Sequence, residues 1–181
     1  NAGDGILNHP TQAMIDLYTI RNLLGKLENL KVCIYGDLKY GRAAISFIYG
    51  ISKYQGNKIY TISPPELRLR EEVKQNLINL NINFEEISDI NEIISEIDVI
   101  YVTRIQKERF PDISEYEKVK GKYKIDSNIL KNAKDNLIVL HPLPRVDELS
   151  YDVDSTKYQA YFKQAELGIP LRMALLYLIL K

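Results

Sequence analysis

Short runs of β-branched and apolar residues recur along this sequence, and each is followed by a longer stretch with helical periodicity. Runs at Lys31–Tyr35, Lys58–Ile62, Phe84–Ile87, Val99–Val102 and Leu137–Leu140 read as strands. Strands separated in this way pair in parallel, because a crossover long enough to hold a helix returns the chain to the same end of the sheet. The first, fourth and fifth runs are apolar almost throughout, as strands covered on both faces should be. The spacing predicts helices over His9–Leu24, Arg42–Tyr54, Glu66–Leu80 and Ile90–Glu96. In the third of these, Leu69, Val73, Leu77 and Leu80 fall on one face. Two more helices, near Thr156–Glu166 and Leu171–Lys181, close the chain, with Gly168 and Pro170 as the break between them. A less regular connection, Ile105 to Asp126, is long for its place, and long ordered connections usually carry function. The expected fold class is a doubly wound, three-layer α/β/α parallel sheet, Rossmann-like, forming one domain over residues 1–181. Ligands of such sheets bind outside the carboxyl ends of the strands.

Charge narrows the partners. Lys+Arg and Asp+Glu balance at 24 each, so no net field favours nucleic acid or an anionic membrane. The longest apolar stretch, Met173 to Leu180, is too short for a membrane span. One cysteine, Cys33, precludes a disulfide framework within the chain and fits a reducing, cytoplasmic setting. The opening Asn1-Ala2-Gly3-Asp4-Gly5 has neither Met nor the pattern of a signal peptide, which points to a piece of a longer protein.

Polar residues gather at the predicted strand ends. Gly36-Asp37-Leu38-Lys39-Tyr40-Gly41-Arg42 follows the first strand. Lys39 and Tyr40 fill the place where a dinucleotide turn needs glycine, so a nicotinamide site is a poor reading. Arg42 opens the next helix, where its guanidinium can grip a carboxylate through two parallel hydrogen bonds or simply pair with a surface acid. Arg104 and Gln106, after the fourth strand, point the same way in an extended segment. They suit one carboxylate, or an ordinary solvated cluster. In His141-Pro142-Leu143-Pro144-Arg145 each proline holds its predecessor extended and lacks an N–H. The carbonyls of that turn are therefore available to an ammonium group, unless it is only a rigid turn. Asn8-His9-Pro10-Thr11-Gln12 looks like a helix start capped by Asn8, with His9 and Gln12 sharing a face. A helix N-terminus disfavours the imidazolium and leaves His9 a neutral donor, suited to a carbonyl that gathers charge. A structural histidine is the alternative.

Taken together, these segments resemble the catalytic chain of the aspartate carbamoyltransferases. His9-Pro10-Thr11-Gln12, Gly36 to Arg42, Thr103 to Arg109 and His141 to Glu148 match that family's motifs in order and at similar spacing. The likeness runs on through Asp152-Val153-Asp154 to the final helices. The resemblance implies transfer of the carbamoyl group of carbamoyl phosphate to the amine of L-aspartate, early in pyrimidine synthesis, with no metal and no organic cofactor. It implies that His9 contacts the carbamoyl carbonyl oxygen and Gln12 its amide. Arg42 would bind the aspartate α-carboxylate, and Arg104 and Gln106 the side-chain carboxylate. The carbonyls of Pro142 and Leu143 would orient the reacting nitrogens, across a cis Leu143–Pro144 bond. The family's Ser-Thr-Arg-Thr phosphate-binding turn and a Lys-bearing loop from a neighbouring subunit have no counterpart in this sequence. The chain is thus expected to be the aspartate-binding half, inactive without its carbamoyl-phosphate half, within a homotrimer that regulatory chains join in some members. Ornithine carbamoyltransferase is the nearest rival, but the ornithine enzymes resemble His-Cys-Leu-Pro where this chain has His141-Pro142-Leu143-Pro144. A non-catalytic α/β module that binds a partner chain is the other.

Overall fold

A computed structural model describes residues 8–107, 110, 112–121 and 123–181. Strands β1 (Lys31–Gly36), β2 (Lys58–Ile62), β3 (Phe84–Glu86), β4 (Val99–Thr103) and β5 (Ile138–Leu140) form one sheet in the order β3-β2-β1-β4-β5. Every pairing in it is parallel. The first three strands step outward in one direction and the chain then returns to the other side of β1. The winding therefore reverses between β1 and β4, and a crevice opens there at the carboxyl ends of both.

Period-2 alternation sends Val32 and Ile34 to one face and Cys33 and Tyr35 to the other. On the first face lie α1 (Pro10–Leu24), α2 (Arg42–Ile51) and α3 (Glu71–Asn79), with Phe47 of α2 stacked on Tyr101 of β4 at 4.5 Å between ring centroids. The second face is covered mainly by 3-10 turns at Ile90–Glu92, Ile129–Asn132 and Tyr151–Ser155, with Tyr161 fully buried among them. Cys33 lies here, fully buried. A short helix, α4 (Ile113–Val119), sits in the long connection after β4, and α5 (Tyr161–Leu180) packs against α1.

Several expected elements differ. The helix expected at Ile90–Glu96 is a single 3-10 turn, which suffices to place Ile90, Ile93, Ile94 and Ile97 on the sheet. The third helix starts at Glu71 rather than Glu66, because Pro64 and Pro65 hold an extended entry and a 3-10 turn. It ends before Leu80, which is exposed. The second stops at Ile51, three residues early. The two closing helices are one. Pro170 sits inside α5, where the carbonyl its missing N–H leaves unbonded belongs to exposed Glu166 and can be solvated. Gly168 does not break the helix either. It lies against Ile15 of α1, 3.3 Å from where its Cβ would be, and so lets the two helices close together. No described helix is long and apolar enough to cross a membrane.

Candidate functional site

The turn after β1 begins at Gly36, whose φ of 120° is a backbone conformation closed to residues with a side chain. A Cβ there would stand 2.3 Å from the carbonyl oxygen of Thr103, so glycine is what lets the ends of β1 and β4 meet. Thr103 spans the join, its hydroxyl reaching the carbonyls of Tyr35 and Asp37 at 3.3 Å each. The buried Asp37 carboxylate accepts from the backbone N–H groups of Lys39 and Tyr40 at 3.1 and 2.8 Å. That folds the turn back and delivers Arg42 to the first position of α2. In the segment after β4, Ile105 is buried with Leu67, Tyr116 and Val119, while Arg104 and Gln106 lie half-buried on the opposite side.

The turn after β5 is built around a histidine. The Leu143 N–H donates to His141 Nδ1 at 2.8 Å, which places the ring proton on Nε2, and Nε2 donates to Glu148 Oε1 at 2.7 Å. Both partners of that pair are buried. Burial works to raise Glu148, but hydrogen bonds from His141 and from backbone N–H groups hold it below the usual carboxylate range. Leu143 is not extended as its following proline predicts: it has φ 53°, a left-handed conformation rare for a bulky residue, and the Leu143–Pro144 bond is cis. Arg145 clamps the far end of the turn. Its guanidinium donates to both Asp154 oxygens at 2.5 Å and stacks over Tyr151, 4.1 Å from the ring centroid. The Asp154 partnership pushes Arg145 up.

His9, not Asn8, occupies the N-cap position of α1. Its side chain makes no capping bond, and its backbone N–H instead donates to Ser46 Oγ at 2.8 Å. Its imidazole is held below the usual histidine range by desolvation first, then by Arg42 and Arg172. The sequence ascribes a neutral imidazole to the helix N-terminus; here burial and two guanidiniums are what disfavour the imidazolium. Arg172, on α5, is one residue that motif reading passed over.

These segments converge. His9, Gln12, Arg42, Arg104, Gln106, Pro142 and Leu143 all line a single cleft of ≈ 250 Å³, together with Gly41, Ala43, Thr103, His141 and Pro144. It opens where the strand order reverses. Two arginines face it and none of the described lining residues is acidic, so it is built for an anion. The amides and carbonyls beside them supply directional contacts to a neutral or cationic nitrogen. Glu148, Asp154 and Gln164, which support the walls, were not singled out as site residues in the sequence. Only the pairing of His141 and Arg145 with acids a few residues on gave any local signal.

A family model described as the Asp/Orn binding domain of aspartate/ornithine carbamoyltransferase matches residues 28–179. The aspartate carbamoyltransferase catalytic subunit of Thermofilum pendens is 60% identical over 181 residues, covering 100% of this chain and 58% of its own length. Among solved structures, the catalytic subunit of M. jannaschii aspartate transcarbamoylase has a TM-score of 0.88 and 49% identity, over 97% of this chain and 57% of that one. The Trypanosoma cruzi aspartate transcarbamoylase in complex with N-(phosphonacetyl)-L-aspartic acid matches at a TM-score of 0.85 and 34% identity, over 98% and 56%. The chain therefore spans somewhat over half the length of the relatives it matches.

Proposed function

The chain belongs to the aspartate/ornithine carbamoyltransferase family, as its Asp/Orn binding domain, and from that premise we propose that it supplies the amino-acid half of an aspartate carbamoyltransferase site. The convergence of Arg42, Arg104 and Gln106 on one cleft whose described lining carries no acid supports this reading. Such a cleft suits a dicarboxylate and would repel the second ammonium of ornithine. Arg42 takes the α-carboxylate of aspartate, while Arg104 and Gln106 take the side-chain carboxylate. The carbonyls of Pro142 and Leu143 orient the reacting nitrogens.

In the reaction, the aspartate amine adds to the carbonyl carbon of carbamoyl phosphate and negative charge gathers on the carbonyl oxygen. His9 donates to that oxygen and Gln12 holds the carbamoyl amide. The carbon–oxygen bond to phosphate then breaks, phosphate leaves with the bonding pair, and the nitrogen gives up a proton to the departing phosphate. Positioning and charge stabilisation are sufficient for such a transfer. The part of the relatives that this chain does not span supplies the phosphate site, and neighbouring copies in a homotrimer complete it. The isolated chain is accordingly without turnover.

Replacing Arg42 or Arg104 by alanine in the complete enzyme tests the assignment. Losing one partner of a desolvated charge pair costs on the order of 2–5 kcal/mol, so the KM for aspartate should rise at least thirtyfold or so in each variant. Ordinary aspartate saturation in either one, or turnover of ornithine in place of aspartate, rejects it.

A further inference from the structure

Asp16 has no part in the chemistry above, yet its carboxylate sits fully buried beside the cleft. Its Oδ1 accepts from Gln12 Nε2 at 2.8 Å and from Gln164 Nε2 at 2.6 Å. Gln164 Oε1 in turn accepts from the backbone N–H of His141 at 2.8 Å. The second oxygen, Oδ2, is buried without a well-formed hydrogen bond, as is the Tyr101 hydroxyl that faces the group from β4. Burial pushes the Asp16 carboxyl up to about 7 against the pull of those amides and of the Tyr101 hydroxyl. An apolar side chain would fill this seam between α1 and α5 without the desolvation cost, so stability gives no reason for a carboxylate here.

A carboxylate can do one thing that no apolar group can, which is to choose the orientation of an amide. Once ionised it only accepts, so the end of Gln12 that meets it is then the NH₂, which leaves Oε1 as the end available to the cleft. We propose that Asp16 is a positioning residue: it holds Gln12 with its carbonyl oxygen presented to the NH₂ of the carbamoyl group, and through Gln164 it ties the His141–Pro144 turn to the same hub. This rests on the assignment of the cleft made above. Three elements that meet at the site, α1, α5 and the turn after β5, thereby share one anchor, and the amide order in the cleft follows from it.

The experiment is steady-state kinetics on the complete enzyme carrying Asp16→Ala, Asp16→Asn, Gln12→Ala and the Asp16→Ala/Gln12→Ala pair, with melting curves to establish folding. Asp16→Ala should lower kcat/KM for carbamoyl phosphate by roughly tenfold, the loss of about one hydrogen bond, with the KM for aspartate little changed. Asp16→Asn keeps an acceptor where both glutamines converge and should restore most of that loss. In the Gln12→Ala background, Asp16→Ala should cost well under that tenfold, since most of its effect passes through Gln12 and only the remainder through Gln164. If Asp16→Ala does not fold, Asp16→Leu fills the volume without an acceptor and replaces it. Unchanged kcat/KM in Asp16→Ala, or a full further loss in the double variant, overturns the role of Asp16 while leaving the cleft assignment intact. A Gln12→Ala enzyme with ordinary kinetics fails the cleft assignment itself, and the positioning role with it.

Discussion

His9 shows how much of a residue's chemistry lies in neighbours that are far away in sequence. Its position at a helix start was legible, and so was a neutral imidazole, but Arg172, which helps to keep it neutral, comes from the other end of the chain. Replacing His9 by alanine should reduce kcat of the complete enzyme by roughly 10²–10³-fold, the usual effect of removing one donor to a developing oxyanion. Turnover per folded molecule that survives, with a lowered melting temperature, would mark a structural histidine instead. Asp16 carries a pH prediction of opposite character. Its pKa rises from 3.8 to about 7 on folding, so between those values the folded state binds more protons than the unfolded one. Stability should therefore fall as pH rises from about 4 to about 7, and Asp16→Asn should flatten that fall. Denaturant midpoints measured at pH 5 and pH 8 decide it, and a variant with the wild-type slope refutes it. The seven cleft residues were readable because charged, amide and proline-flanked groups stood at strand and helix ends. Asp16 and Gln164 were not, because their bond spans 148 residues and each alone looks like an ordinary helix residue.

Among the elements, the strands were the most legible, since continuous apolar runs can hardly be anything else in a sheet covered on both sides. Helix ends were less so. Ile90, Ile93, Ile94 and Ile97 carry a helical spacing, yet one 3-10 turn delivers all four side chains to the sheet, and nothing in the pattern distinguishes the two. The fusion of the closing helices was hidden for another reason: whether Pro170 breaks a helix depends on whether the carbonyl of Glu166 can reach water, which is a tertiary fact. The connection after β4 has its own small core of Leu67, Ile105, Tyr116 and Val119, separate from the two that cover the sheet. Among the described residues this small cluster is the buried apolar anchor of helix α4, so its amides should exchange with solvent well ahead of those of β1 and β4. Hydrogen exchange read by mass spectrometry checks this, and equal protection in α4 and the central strands would contradict it.

For the molecule as a whole, the reversal of strand order places the cleft, and the far half of α5 leaves an account open. Ile169, Met173, Leu176, Tyr177, Leu178, Ile179 and Leu180 are all exposed, although a helix apolar on so many sides is normally covered. The isolated chain should self-associate through this surface, and the remainder of the complete protein should compete for it. Sedimentation with and without that remainder is the measurement, and a monomer at high concentration that ignores the added piece would show the surface to be inert. Cys33 offers a different kind of access to the same molecule. It lies in the central strand, with no exposed surface and with its thiol far less acidic than usual because of burial. An alkylating reagent therefore meets no thiolate to react with until the sheet itself comes apart. Since this chain has no other cysteine to compete, its alkylation in the folded state becomes a stopwatch: the rate reports how often the whole domain opens, and a ligand that clasps the cleft should slow the clock.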